Sequence, residues 1–309
     1  MKFYFAPLEG IAGYTYRRAH HEYFDHVDKY FSPFVVPGQN AKLKNKELRD
    51  ILPENNIGLN LIPQIMTNRA EDFIHTSKVL KELGYEEVNL NLGCPSGTVV
   101  SKYRGSGFLR KPFELNQFLE EIFEASVTKI SVKTRIGFQD PEEFYDLIEI
   151  YNRYSMEELI IHPRTREDYY KNKPNLEVFR DAIKLSKNPL CYNGDIVSIE
   201  DYNRFTKEFP QIDKIMIGRG LLGNPALISE IKNHVKVDLK LVKAFHDKLY
   251  QDYRAVLSGE HNVLFKMKEL WIFMLPTVTN DEKFLKKIKK VDHLSEYDLI
   301  INQLFEGVN

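Results

Sequence analysis

Residues 130–151 read ISVKTRIGFQDPEEFYDLIEIY, and they decide the fold. Ile130–Thr134 is a short apolar run of strand length with Lys133 and then Arg135 at its far end. Asp140-Pro141 then places a capping residue before a first-turn proline, and Phe144, Leu147, Ile148 and Tyr151 recur on one side of a helix. Strand, cap and amphipathic helix make one β/α unit.

Working outward, the same unit recurs. Apolar runs lie near Phe3–Ala6, Phe34–Val36, Leu59–Gln64, Val88–Leu92, Leu159–His162, Leu190–Tyr192 and Lys214–Ile217, which makes eight strands with Ile130–Thr134. Between them, Asn68 with Glu71 resembles a capping box, Phe73, Ile74, Val79, Leu80 and Leu83 share a helix face, Gly84 can stop that helix, and Asn224-Pro225 opens another. Eight alternating units over roughly 230 residues fit an α/β fold of the (β/α)8 TIM-barrel kind, typically ~250 residues, better than an open doubly wound sheet. The barrel is expected over residues 1–231. From about Val237 to Asn309 the alternation stops, and Leu241, Phe245, Leu249 and Tyr253 with the lone Trp271 predict a C-terminal all-α helical bundle over residues 237–309.

Composition narrows the function. With 43% hydrophobic and 28% charged residues, the 309-residue chain is neither disordered nor collagenous nor membrane-spanning. A net charge of -1 removes a global basic field, so any polyanion needs a local patch. Two cysteines, Cys94 and Cys191, cannot form a disulfide framework, which points to a reducing, cytoplasmic setting, and no metal-ligand spacing is visible: His20 and His21 are adjacent on a helix and point two ways. The N-terminus lacks the apolar stretch of a signal peptide.

In such a barrel, polar residues at the C-terminal ends of strands do the chemistry. Asn193-Gly194-Asp195 and Gly218-Arg219-Gly220 follow the last two strands, where turns expose backbone N–H groups to a phosphate; each glycine turn alone reads as an ordinary tight turn, and the pair at both positions favours phosphate. Lys133 is costly to bury unless it meets an anion, such as a reduced flavin. His162 is either a satisfied core histidine or a ligand contact, and its place beside Lys133 favours contact. Gln64 can bond a heterocycle or a neighbouring backbone. Cys94, between Gly93 and Pro95, has a thiol whose ordinary pKa of about 8.5 suits a proton donor, whereas Cys191 reads as a small buried side chain.

The ordered set formed by Ala6-Pro7-Leu8-Glu9-Gly10, Gln64, Asn91-Leu92-Gly93-Cys94-Pro95, Val132-Lys133-Thr134-Arg135, His162-Pro163-Arg164-Thr165, Asn193-Gly194-Asp195 and Gly218-Arg219-Gly220 resembles the tRNA-dihydrouridine synthases. The resemblance implies FMN in the barrel mouth, held by Pro7, Leu8, Glu9, Gln64, Lys133 and His162, with its phosphate at Asn193, Gly194, Asp195, Gly218 and Arg219. It implies NADPH as electron donor, uridine in tRNA as substrate, and Cys94 as the acid that protonates C5 while hydride reaches C6. Asn91, Lys102, Arg104, Arg164 and Thr165 are the substrate contacts it suggests, in a protein expected to be monomeric.

One departure stands out. Ser96-Gly97-Thr98 follows Cys94-Pro95 where family members often carry basic residues, and the charges arrive later, at Lys102 and Arg104. The lysine run Lys283–Lys290 reads equally as a solvated helix face or as a local tRNA patch on the helical part. Two other functions compete with the resemblance: an FMN barrel oxidoreductase acting on a small molecule such as dihydroorotate, and a catalytically silent tRNA-binding protein that keeps the barrel.

Overall fold

The computed structural model describes residues 1–38 and 42–306. Its strands are β1 (Lys2–Phe5), β2 (Lys29–Phe31), β3 (Leu61–Ile62), β4 (Gln64–Ile65), β5 (Glu87–Leu92), β6 (Lys129–Gly137), β7 (Leu159–Thr165), β8 (Leu190–Tyr192) and β9 (Lys214–Ile217). All are parallel, in the order β3-β2-β1-β9-β8-β7-β6-β5-β4. The two ends of that order are separated by Pro63 alone. Proline has no N–H to continue a ladder, so Pro63 divides one strand into a half that pairs with β2 and a half that pairs with β5. Counted across that break, eight strands close a (β/α)8 barrel.

Alternation along the strands sorts the core. Tyr4, Ala6, Phe31, Ile62, Ile160, Cys191 and Met216 fill the interior as one cluster, and their outward neighbours pack under the helices in another. The helix Glu143–Tyr151 starts later than Asp140-Pro141 suggests, with Glu142 at the cap position: Asp140 Oδ1 accepts from Glu142 N in the turn before it, the Glu143 carboxylate accepts from the N–H groups of Phe138, Gln139 and Asp140, and Phe144, Leu147, Ile148 and Tyr151 are buried as their spacing suggests. Gly84, at φ +95°, ends the helix Ala70–Glu82, and Asn224 Oδ1 accepts from Ala226 N before the helix Leu227–Asn233.

Three local expectations are corrected. The second strand is Lys29–Phe31, not Phe34–Val36: Pro33 and Pro37 flank the apolar run and deny it a continuous ladder, leaving Val35 one bridge to Ile65. Asn68 does not cap its helix, which starts at Ala70 with Arg69 in the cap position; the Asn68 side chain instead donates to the Lys102 carbonyl at 3.2 Å. Leu241 points to solvent and Val242 takes its place beside Phe245, Leu249 and Tyr253, since a 3.6-residue turn drifts away from strict four-residue spacing.

Among the described residues four helices follow the barrel, Leu239–Val256, Glu260–Val278, Glu282–Lys290 and Leu294–Glu306. Phe245 meets Tyr16 and Phe24 of the barrel edge-on, with ring centroids at 5.6 and 5.3 Å. Trp271 is buried, and its Nε1 donates to the Tyr297 hydroxyl, which also meets His246 Nε2 at 2.6 Å. Among the described residues no helix is long and apolar enough to cross a membrane.

Candidate active site

The strands converge on a cavity of about 480 Å³ at their C-terminal ends, lined by Pro7, Leu8, Glu9, Asn91, Cys94, Lys133, His162 and Arg219. A side lobe of about 60 Å³ shares Pro7, Leu8, Lys133, His162 and Arg219 and adds Asn193, Gly194, Asp195 and Gly218. One continuous site thus has a broad part and a narrow one.

The narrow part is made of backbone. A Cβ on Gly194 would lie 2.0 Å from the Tyr192 hydroxyl, so any side chain here would have to displace that buried ring. Among the described residues the N–H groups of Gly194, Asp195, Gly218 and Arg219 find no protein acceptor, although buried or half-buried amides are normally paired. Beside them Asp195 accepts from Arg164 Nη1 and Nη2, at 3.1 and 2.5 Å, and from Arg219 Nη2 at 2.7 Å. Burial pushes the Asp195 carboxyl up, but the bonds and charge of Arg164 and Arg219 hold it below its ordinary value. Asn193 is used internally, its amide donating to Met216 O.

Cys94 is held from both sides. Asn91 Oδ1 accepts from the N–H groups of Gly93 and Cys94, at 3.0 and 2.9 Å, while Asn91 Nδ2 donates to Gln64 Oε1 at 2.6 Å. Opposite, the Cys94 carbonyl accepts from Ser106 N and Oγ. Gly105, at φ +55°, lets that turn approach, since its Cβ would lie 2.8 Å from the Cys94 carbonyl oxygen. Burial raises the thiol pKa first, the Ser96 amide opposes it, Glu9 adds to the rise, and Arg135 and Lys133 offset part. At neutral pH Cys94 is therefore a protonated thiol.

Lys133 has no hydrogen bond or ion pair through its ammonium among the described residues, and burial, with Arg135 nearby, lowers its pKa to about 7. His162 is pushed well below its ordinary value by burial and then by Arg135, Lys133, Arg164 and Arg219. It is neutral. Arg164 Nη1 lies 2.9 Å from His162 Nε2, and an arginine can only donate, so Nε2 accepts and the ring proton sits on Nδ1.

Several residues singled out from sequence stand away from the cavity. Gln64 is fully buried beneath its floor, bonded through Nε2 to Asn89 and through Oε1 to Asn91. Arg164 and Thr165, suggested as substrate contacts, are buried supports: Arg164 binds Asp195, His162 and the Asn172 carbonyl, and Thr165 braces its turn through Asp168. Lys102 is exposed and Arg104 half-buried in the loop beyond Cys94, and neither lines the cavity. Sequence reading missed Arg135, whose buried guanidinium donates to the carbonyls of Gly93, Thr165 and Tyr169 and so ties three rim segments together. It also missed Tyr170, whose ring lies 5.5 Å from the Arg135 guanidinium and 4.7 Å from that of Arg219, and Phe273, which reaches the cavity from the helix Glu260–Val278. The motif Val132–Arg135 held a signal for Arg135; the loop and helix residues had none.

The barrel is shared with solved oxidoreductases. A morphinone reductase mutant superposes with a TM-score of 0.51 at 13% identity, covering 76% of this chain and 87% of that one. A histamine dehydrogenase from Rhizobium gives 0.54 at 14%, covering 75% of this chain and 46% of that one. At these identities the likeness is one of fold. The family model described as Dihydrouridine synthase (Dus) matches residues 4–288, so the chain belongs to that family and is an oxidoreductase. It is 25% identical to the tRNA-dihydrouridine synthase B of Pasteurella multocida, over 77% of this chain and 70% of that protein. It is 27% identical to the probable tRNA-dihydrouridine synthase 2 of Bacillus subtilis, over 81% and 78%.

Proposed function

We propose that this chain is an FMN-dependent, NADPH-consuming synthase of dihydrouridine in tRNA. The observation that carries the reading is the continuous cavity in which a protonated thiol, a neutral imidazole and a lysine without a partner among the described residues meet a lobe of backbone N–H groups that find no acceptor among those residues. That donor set fits FMN: the amides of Gly194, Asp195, Gly218 and Arg219 and the Arg219 guanidinium suit a phosphate, and Lys133 suits the electron-rich edge of the ring. When bound, FMN supplies hydride to C6 of the uracil.

The protein's own part is positional and acidic. Cys94 donates its proton at C5, and its raised pKa keeps that proton in place until it is needed. Asn91 fixes the Cys94 turn from below and Ser106 from the side. Arg164 fixes the tautomer of His162, so that Nδ1–H is its remaining donor. The RNA surface includes the helix Glu282–Lys290, where Lys283, Lys286, Lys287, Lys289 and Lys290 are all exposed, and the loop carrying Lys102 and Arg104.

Purified protein loaded with FMN is expected to be reduced by NADPH and reoxidised by tRNA that lacks the modification, with dihydrouridine appearing in the RNA. A chain that cannot be loaded with FMN, or whose reduced form ignores unmodified tRNA, contradicts the proposal.

A further inference from the structure

Next to the site lies a second cavity, of about 330 Å³, which shares Glu9, Ile11 and Phe34 with it. Tyr14, Phe34 and Tyr253 give it an aromatic lining, and Lys44, Lys46, Arg49 and Lys266 give it cations. Two of its three acids, Glu47 and Asp50, are committed, while Glu9, which lines both cavities, has no ion pair among the described residues. Glu47 accepts from Val36 N and pairs with Lys44 at 3.4 Å, and Asp50 accepts from Tyr14 N at 2.7 Å and pairs with buried Arg17 at 3.0 Å. Lys266 donates to the Gly10 carbonyl. Lys46 and Arg49, both on the helix Asn45–Ile51, have no ion pair among the described residues.

The two cavities lie along one helix. Lys266 lines the second and Phe273 the first, both from Glu260–Val278. They are two turns apart on the same face, roughly 11 Å along the axis. Aromatic walls that accept a base, beside cations that accept a phosphate, are the combination that holds single-stranded nucleic acid without reading its sequence.

Resting on the reading of the main site as a tRNA-uridine site, we infer that the second cavity holds the nucleotide next to the reduced uridine, its base against Tyr14 and Phe34 and its phosphate at Lys46 and Arg49. The cavity is thus a specificity element: it demands a uridine embedded in a strand and leaves a lone uridine weakly held.

The test uses the full FMN-loaded chain with unmodified tRNA. The double variant Lys46→Glu/Arg49→Glu is expected to raise KM for tRNA at least tenfold with kcat within about twofold and NADPH-driven flavin reduction unchanged. The slope of log affinity against log salt should fall by about 0.7 for each phosphate that the variant no longer neutralises. Tyr14→Ala, which changes no charge, should weaken tRNA binding about fivefold to a hundredfold with the salt slope intact. Lys46→Arg should behave as wild type. Unchanged KM and salt slope in the double variant, or a loss confined to charge with no effect of Tyr14→Ala, overturns the inference while wild type still makes dihydrouridine. If wild type makes none, the functional reading fails and takes the inference with it.

Discussion

At the N-terminal end of the barrel, Lys29 Nζ donates to Glu87 Oε2 at 2.7 Å and to Glu158 Oε1 at 3.0 Å, whereas at the opposite end Lys133 has neither partner. Burial lowers both lysines, but for Lys29 the charges and bonds of Glu87 and Glu158 more than offset it and its pKa rises. Lys133 drops to about 7. Tyr4 completes the lower network by donating to Glu158 at 2.6 Å. The same residue type is a satisfied structural element at one end and, among the described residues, an unpartnered part of the cavity lining at the other. Partnership, more than burial, tells them apart.

The largest effect expected from disturbing this contrast lies at the upper end. Cys94→Ala should lower dihydrouridine formation by about 10²–10⁴-fold, the usual scale of a lost general acid, with flavin reduction by NADPH intact. Reoxidation kinetics measure this, and full turnover in the variant would remove Cys94 from the mechanism. Next is Glu158→Ala at the lower end, which leaves the Tyr4 hydroxyl and part of the Lys29 charge without a partner in a buried site. Breaking such a pair costs about 3–5 kcal/mol, so a marked fall in Tm is expected, with FMN affinity of the folded protein unchanged.

Much of this contrast is legible in the sequence at the upper end. Cys94 and the two glycine turns fall just past strand ends, and parallel strands necessarily bring their C-terminal ends to one mouth; Lys133 and His162 line that mouth from midway along β6 and β7, which run on to Gly137 and Thr165, beyond the ends expected from the apolar runs. What the sequence does not carry is whether a polar side chain at such an end faces the cavity or braces a neighbour. Gln64, Arg164 and Thr165 have the same local signature as Lys133, yet they lie beneath or behind the lining because their partners, Asn91, Asp195 and Asp168, come from other segments or from the following turn. The second strand differs from its expected place for a related reason: Phe34–Val36 is apolar, but prolines on either side break its ladder, while Lys29–Phe31 hides behind a charged residue. Tyr170 and Phe273 arrive from a loop and from a helix beyond the barrel, where no motif marks them.

A smaller effect distinguishes the lysines by stability alone. With a folded pKa near 7 and an ordinary value of about 10.4, Lys133 must be charged without a partner below pH 7, and that penalty shrinks as pH rises through the interval between the two values. Lys133→Met should therefore raise Tm of the FMN-free protein more at pH 6 than at pH 9. Lys29→Met should lower it at both, because the Lys29 interactions are present at every pH below its raised pKa.

The most direct measurement of the central claim, that Lys133 is held in readiness for FMN, is proton uptake on titrating FMN into the apoprotein, read by calorimetry in buffers of different ionisation heat. An anionic partner restores the lysine to its charged form. Wild type should take up close to one proton more than Lys133→Met at pH 8, with the difference nearly gone at pH 6, and should bind FMN more tightly than the variant. Equal uptake and equal affinity in the two proteins at pH 8 would contradict the account.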